Sequence, residues 1–238
     1  MCPERWLERY CAGEHADVWA ELVALGPAVR EEPARSAAET VAAETMQRVR
    51  ANVETLTDRL REAGYEFAVD PPHIPPDRDL SAHVAAVETR AGPLPMSLRA
   101  FYEIVGIVNF TQSLDQLVQW HEPRRRSASE LEVLGEYDPL VVGPLDDRWA
   151  SEPGFWAFSM DEFHKANYSG GDNYQVALPE PGADFVIRYV DELFVAFLRA
   201  TFRGGGFRGK LDADEERAWK LPPDLELAAM LADGLLPI

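Results

Sequence analysis

Between Ala37 and Ala63 apolar side chains return every three or four residues, with Met46, Val49, Val53, Leu56 and Leu60 on one stripe and Arg48, Arg50, Glu54, Asp58 and Arg59 opposite. That period matches the helical turn and predicts a long amphipathic helix that stops at Gly64. Val18, Leu22 and Leu25 predict a second helix over Asp17 to Leu25, so residues 1–69 read as a helical N-terminal extension. The stretch 70–79 holds four prolines, in Asp70-Pro71-Pro72-His73-Ile74-Pro75-Pro76-Asp77, which excludes helix and central strand and reads as a linker. A short helix follows over about Leu80 to Thr89. Pro93 and Pro95 then frame a helix with Ser97 in its first turn and Leu98, Phe101, Tyr102 and Val105 on its apolar face.

Beyond Gly106 the period shortens. Ile107 to Phe110, Pro139 to Val142, Phe155 to Phe158, Tyr174 to Leu178 and Asp184 to Ile187 are apolar runs between turn residues and predict strands. A last long helix, about Val190 to Phe202, presents Leu193, Phe194, Phe197, Leu198 and Thr201 to a core and ends at Gly204-Gly205-Gly206. From Leu211 to Ile238 there are seven acids against two bases and two short helical patterns, so 210–238 reads as an acidic helical tail. Helices, then strands, then helices without regular alternation predict an α+β class, with the α+β domain at 80–209.

The charge pattern narrows the partners. With 41 acidic and 23 Lys or Arg residues the chain carries a formal net charge of −18, which disfavours nucleic acid and anionic membrane and favours a basic protein partner. The same charge also serves solubility. No apolar run approaches the roughly 20 residues of a membrane span, and the first residues lack the pattern of a secretory signal, so a cytoplasmic location is expected. Cys2 and Cys11 cannot make a disulfide framework or a zinc site and are expected as free thiols; without secretion the sequons at Asn109 and Asn167 carry no meaning.

No cofactor or metal is expected. Gly204 to Lys210 approaches a phosphate loop, but Leu211 replaces the required Ser or Thr and the loop follows a helix, so a glycine helix stop is the simpler account. The five histidines lack metal-ligand spacing. Polar chemistry concentrates in Ser159 to Tyr174, around Gly170-Gly171. There His164 has acids Asp161, Glu162 and Asp172 near it and Ser169 as a hydroxyl, but the serine lacks the strand-to-helix elbow of a nucleophile. In a plain loop Asp161 would cap a turn, Glu162 and Lys165 would be solvated, and Asn167, Ser169 and Gly171 would satisfy their own backbone. As a recognition surface, Tyr168 and Tyr174 would be aromatic anchors in a polar rim. Arg124-Arg125-Arg126 reads as a solvated loop, or as a partner for an acidic edge of this or another protein.

Leu94-Pro95-Met96-Ser97-Leu98-Arg99-Ala100-Phe101-Tyr102-Glu103-Ile104-Val105-Gly106 resembles the signature helix of the SUKH superfamily, which groups yeast cell-wall-synthesis regulators with bacterial immunity proteins. Asp138 to Val142 resembles its central strand, Gly170 to Tyr174 with Val176 to Pro179 its glycine turn and next strand, and Phe194 to Arg199 its closing helix. The similarity spans about Leu80 to Gly209, departing at Val105-Gly106, where members commonly carry Asn-Gly. It implies one mixed, largely antiparallel sheet packed with helices, and a non-enzymatic role in binding toxin effectors, often nucleases. The partner-binding residues expected on that basis are Asp161, Glu162, His164, Lys165, Asn167, Tyr168, Asp172, Asn173 and Tyr174. A regulatory scaffold and a hydrolase using His164 are the alternative roles.

Overall fold

The computed structural model describes residues 5–119, 121–211, 219–220 and 226–238. Cys2 and, within the expected acidic tail, residues 212–218 and 221–225 lie outside the described residues. The chain begins with α1 (Trp6–Cys11), α2 (His15–Ala24) and α3 (Ala34–Glu62). The predicted stripe of α3 is its buried face: Met46, Val49, Val53, Leu56 and Leu60 have no exposure to solvent. Gly64, at φ +84°, ends it, with the Tyr65 amide donating to the Leu60 carbonyl at 2.8 Å. That is the left-handed stop that a glycine makes at low conformational cost.

The proline-rich stretch enters the sheet. His73–Ile74 form β1, which pairs antiparallel with β2 (Ile107–Asn109) after α4 (Arg78–Ala91) and α5 (Met96–Ile104). It is an edge strand, where the missing proline donors leave no ladder gap. Gly106, at φ +97°, leads from α5 into β2, and any side chain there would clash with the Ile74 carbonyl oxygen. Next come α6 (Glu130–Leu134), β3 (Val141–Val142), β4 (Phe155–Ser159), α7 (Glu162–Lys165), β5 (Tyr174–Ala177), β6 (Val186–Ile187) and β7 (Glu192–Leu193). The last elements are α8 (Phe194–Arg203), β8 (Lys210–Leu211), β9 (Trp219–Lys220) and α9 (Glu226–Ala232).

The α+β class is as expected. Where one mixed sheet was expected, every strand pair among the described residues is antiparallel and the strands fall into small sheets. These sheets nevertheless abut in chain order. The Gly143 amide donates to the Phe158 carbonyl and Asp146 bridges to Ala157, which joins β3 to β4, while Gln175 bridges to Arg188 beside β5 and β6. β4 and β5 pair with a register shift between Ala157 and Ser159, a bulge that bends the strand just before α7.

One hydrophobic cluster runs from Trp6 and Tyr10 through α3, α5 and α8 to Leu231. At its centre Phe194 packs with Phe101, Phe158 and Phe185 at ring-centroid distances of 5.7, 5.7 and 5.2 Å. Each such pair contributes about 0.5–1.5 kcal/mol beyond its burial. α8 begins later than its apolar pattern suggested, because Tyr189 and Asp191 take positive φ in the turn that sets up β7. It ends at the glycine run, with Gly205 and Gly206 at φ +68° and +99°. Among the described residues no helix is long and apolar enough to cross a membrane.

Asp184 ties two helix starts together. Its carboxylate accepts from the Ser97 hydroxyl at 2.6 Å, in the first turn of α5, and from the Val195 amide at 3.1 Å, in the first turn of α8. Burial pushes its carboxyl up to about 6, despite those hydrogen bonds. The folded state therefore holds this proton more tightly than the unfolded chain does. Its contribution to stability is fully present below about pH 4 and is lost as pH rises through about 6. In urea unfolding across pH 4 to 7, Asp184→Asn should remove about 3 kcal/mol of this decline relative to wild type, two pH units at about 1.4 kcal/mol each. Parallel pH profiles for the two proteins would contradict the assignment.

Candidate functional site

The region singled out in the sequence is built on α7. Asp161 is its N-cap: Oδ1 accepts the Phe163 amide at 2.8 Å and the His164 amide at 3.1 Å, while Oδ2 holds His164 Nδ1 in a short contact. Gly171, at φ +83°, lies directly on this carboxylate, and a side chain there would clash with Oδ1. The Gly-Gly turn is thus required by close approach to a buried acid as well as by its backbone angles.

The inner side of α7 is an ionic and hydrogen-bonded pin. Lys165 Nζ donates to Asp138 Oδ1 at 2.6 Å with both side chains fully buried, and lies 4.6 Å from the centroid of the Tyr174 ring. The Tyr174 hydroxyl is 3.0 Å from Asp138 Oδ2 and 2.9 Å from Glu162 Oε2. A phenol has one proton to give, so the arrangement is best satisfied when Glu162 is protonated and donates to it. Burial first, and then the charges of Asp138 and Asp161, raise the Glu162 carboxyl above its ordinary value. Burial and the same kind of neighbours push the Tyr174 phenol well above its own. Nearby, Arg125 Nη1 meets buried Glu136 at 2.8 Å and the Tyr168 hydroxyl donates to Glu136 at 3.4 Å. The basic run 124–126 therefore supplies an internal partner through Arg125, and Arg124 pairs with Glu122.

The nine expected residues divide accordingly. Asp161, Lys165 and Tyr174 are at most 3% exposed, so they hold the surface up and do not form it. Lys165 is not on the solvated side, and Tyr174 is a core aromatic, because Asp138, far away in sequence, comes to meet both. Glu162 and Tyr168 are half-buried; Asn167, at φ +61°, is exposed and its carbonyl accepts from the Gln119 side chain at 2.9 Å. His164, Asp172 and Asn173 face outward into one cleft.

That cleft has a volume of about 1040 Å³ and lies between α4, the connection from β3 to β4, and the loop after α7. Besides His164, Asp172 and Asn173 its walls carry Asp146, Asp147, Arg148, Trp149, His83 and Arg90. Trp149 is 65% exposed at the end of a short 3-10 turn, Asp147–Trp149, capped by Asp146. Arg148 Nη2 is 2.6 Å from Asp146 Oδ2, and hydrogen bonding from Arg148, joined by its charge and by the Trp149 indole, lowers the Asp146 carboxyl to about 2. Arg90 reaches Asp147 at 3.1 Å and lies 4.3 Å over the Trp156 ring. Three lining carboxylates thus meet two guanidiniums, with Asp161 behind His164 adding a fourth negative group.

Asp146 to Trp149 were not among the residues expected at the site. A tryptophan among charged residues in a turn between two strands is the signal that was available. Among the described residues no group of three or more His, Cys, Asp or Glu side chains is placed to hold a metal ion. No protein-family model matches the chain, and no curated protein or solved structure matches it either.

Lys165→Met should leave Asp138 buried without a counter-charge and cost about 3–5 kcal/mol, read as a lowered urea midpoint. Lys165→Met combined with Asp138→Asn should recover at least half of that loss, since asparagine tolerates the φ of +51° at this position. An unchanged midpoint in the single variant would contradict the pin.

Proposed function

We propose that this chain is a non-enzymatic, cytoplasmic binding protein of the immunity type, which neutralises a basic, nuclease-type toxin domain by occluding its substrate groove. The observation that carries the reading is Trp149, an exposed tryptophan at the mouth of a cleft rimmed by Asp146, Asp147 and Asp172, on a chain of net charge −18. Interfaces draw most of their energy from a few aromatic anchors inside a polar rim. A nuclease groove is basic because it binds phosphates, so an acidic protein is drawn to it quickly and in a salt-dependent way. Occlusion needs no bond to be made or broken. It needs only a rigid surface, and the buried pin beneath α7 supplies rigidity.

A second reading, a hydrolase using His164, draws on the contact of His164 Nδ1 with buried Asp161, which orients the imidazole at the cleft wall. Its weakness is the nucleophile: Ser169, the hydroxyl expected beside His164, is not among the residues that line the cleft, and the Ser159 hydroxyl that does line it is committed to the Met160 carbonyl at 2.8 Å. Turnover of ester or phosphodiester substrates that disappears in His164→Ala would favour it, and a wild-type protein without turnover would count against it.

The immunity reading is tested by salt-gradient elution of lysate proteins captured on the full chain, followed by an activity assay of the captured protein. A basic nuclease, released by rising salt and inhibited at equal stoichiometry, is the expected result. Trp149→Ala should weaken that complex by about 30-fold or more, the equivalent of about 2 kcal/mol. A captured nuclease that keeps full activity in the complex would overturn the proposal.

A further inference from the structure

We infer that Trp149 and Asp172 form a guanidinium-reading subsite, which takes an arginine side chain of the partner with its plane against the indole and its fork on the carboxylate. This deepens, and rests on, the reading of the cleft as the interface with a basic protein.

The chain already holds two of its own guanidiniums in this way. Arg90 lies 4.3 Å over Trp156 while pairing with Asp147 at 3.1 Å. Arg188 lies 3.9 Å over Phe155 while pairing with Glu152 at 3.0 Å. Each combines a flat aromatic face with a carboxylate, the pair of features that a planar, weakly hydrated cation uses best.

Trp149 and Asp172 line the same cleft and bring the same two features to it. Trp149 lines the cleft with 65% of its surface exposed, so much of its ring is presented to solvent. Asp172 is exposed and makes no ion pair within 4 Å among the described residues; its charge is felt by Arg188, which Glu152 holds. Arg148, the nearest cation in sequence to Trp149, is held side-on by Asp146 through both carboxylate oxygens. With carboxylates outnumbering guanidiniums along the wall, an anion is repelled and a cation with an apolar plane is favoured. Lysine offers the charge without the plane or the fork, so it should bind less well.

The test is a titration of the ¹⁵N-labelled full chain with N-acetyl-arginine amide, and separately with N-acetyl-lysine amide, following the indole N–H signals, with Trp149 identified by Trp149→Phe. The arginine probe should shift the Trp149 indole and the Asp172 amide saturably. Asp172→Asn should weaken its binding about fivefold or more, and the lysine probe should bind several-fold more weakly. No saturable shift at Trp149, equal binding of the two probes, or affinity unchanged in Asp172→Asn would each overturn the subsite. Arginine binding at Trp149 in a protein that captures no basic partner would uphold the subsite and overturn the immunity reading. A captured nuclease whose affinity is untouched by Asp172→Asn would do the reverse.

Discussion

The side chains of Lys165 and Asp138 meet with no access to solvent, and a charge buried in that way must find its counter-charge or give up its ionised form. This one requirement fixes how α7 sits. Lys165 must point inward, Tyr174 lies beneath its ammonium, and Asp138 takes a left-handed backbone to present both oxygens, one to each partner. Consecutive residues of a helix point about 100° apart. With Lys165 turned into the core, His164 is therefore turned toward the cleft, where buried Asp161 holds its ring.

The polar stretch that stood out in the sequence thus does two jobs. Its buried members convert a four-residue helix and a Gly-Gly turn, neither stable alone, into a fixed wall. Its exposed members share that wall with a turn from elsewhere in the chain, which supplies the tryptophan. The division suits a binding protein, because the groups that would be costly to leave unpaired are satisfied internally and the presented groups need no rearrangement to meet a partner. On the proposed reading, net negative charge sets the approach of a basic partner and the cleft sets the fit.

The longer helices were legible because their information is local, whereas the short α1, α6 and α7 were not read from the sequence. The stripe of α3, its Gly64 stop and the glycine run after α8 all follow from neighbours within a turn or two, and the apolar runs marked β2, β4 and β5 to within a residue or two. The proline-rich stretch was legible only as something that could not be a central strand; that it is an edge strand depends on β2, which lies past two intervening helices. Within the site, Asp161 as a cap was readable from its place before Glu162 and Phe163. The burial of Lys165 and Tyr174 was not, since it is decided by Asp138, 27 and 36 residues away. Trp149 and His83 reach the cleft through tertiary packing alone, and no period or motif in the sequence joins them to His164.

On the proposed reading the face around the cleft, and no other, meets the partner. Amide hydrogen exchange of the full chain, alone and with the captured basic protein, tests it most directly. Exchange should slow across residues 146–149 and 170–173 on complex formation, with the exposed side of α3 unchanged. Slowed exchange confined to α3 and the helices before it, with 146–149 and 170–173 unaffected, would contradict it.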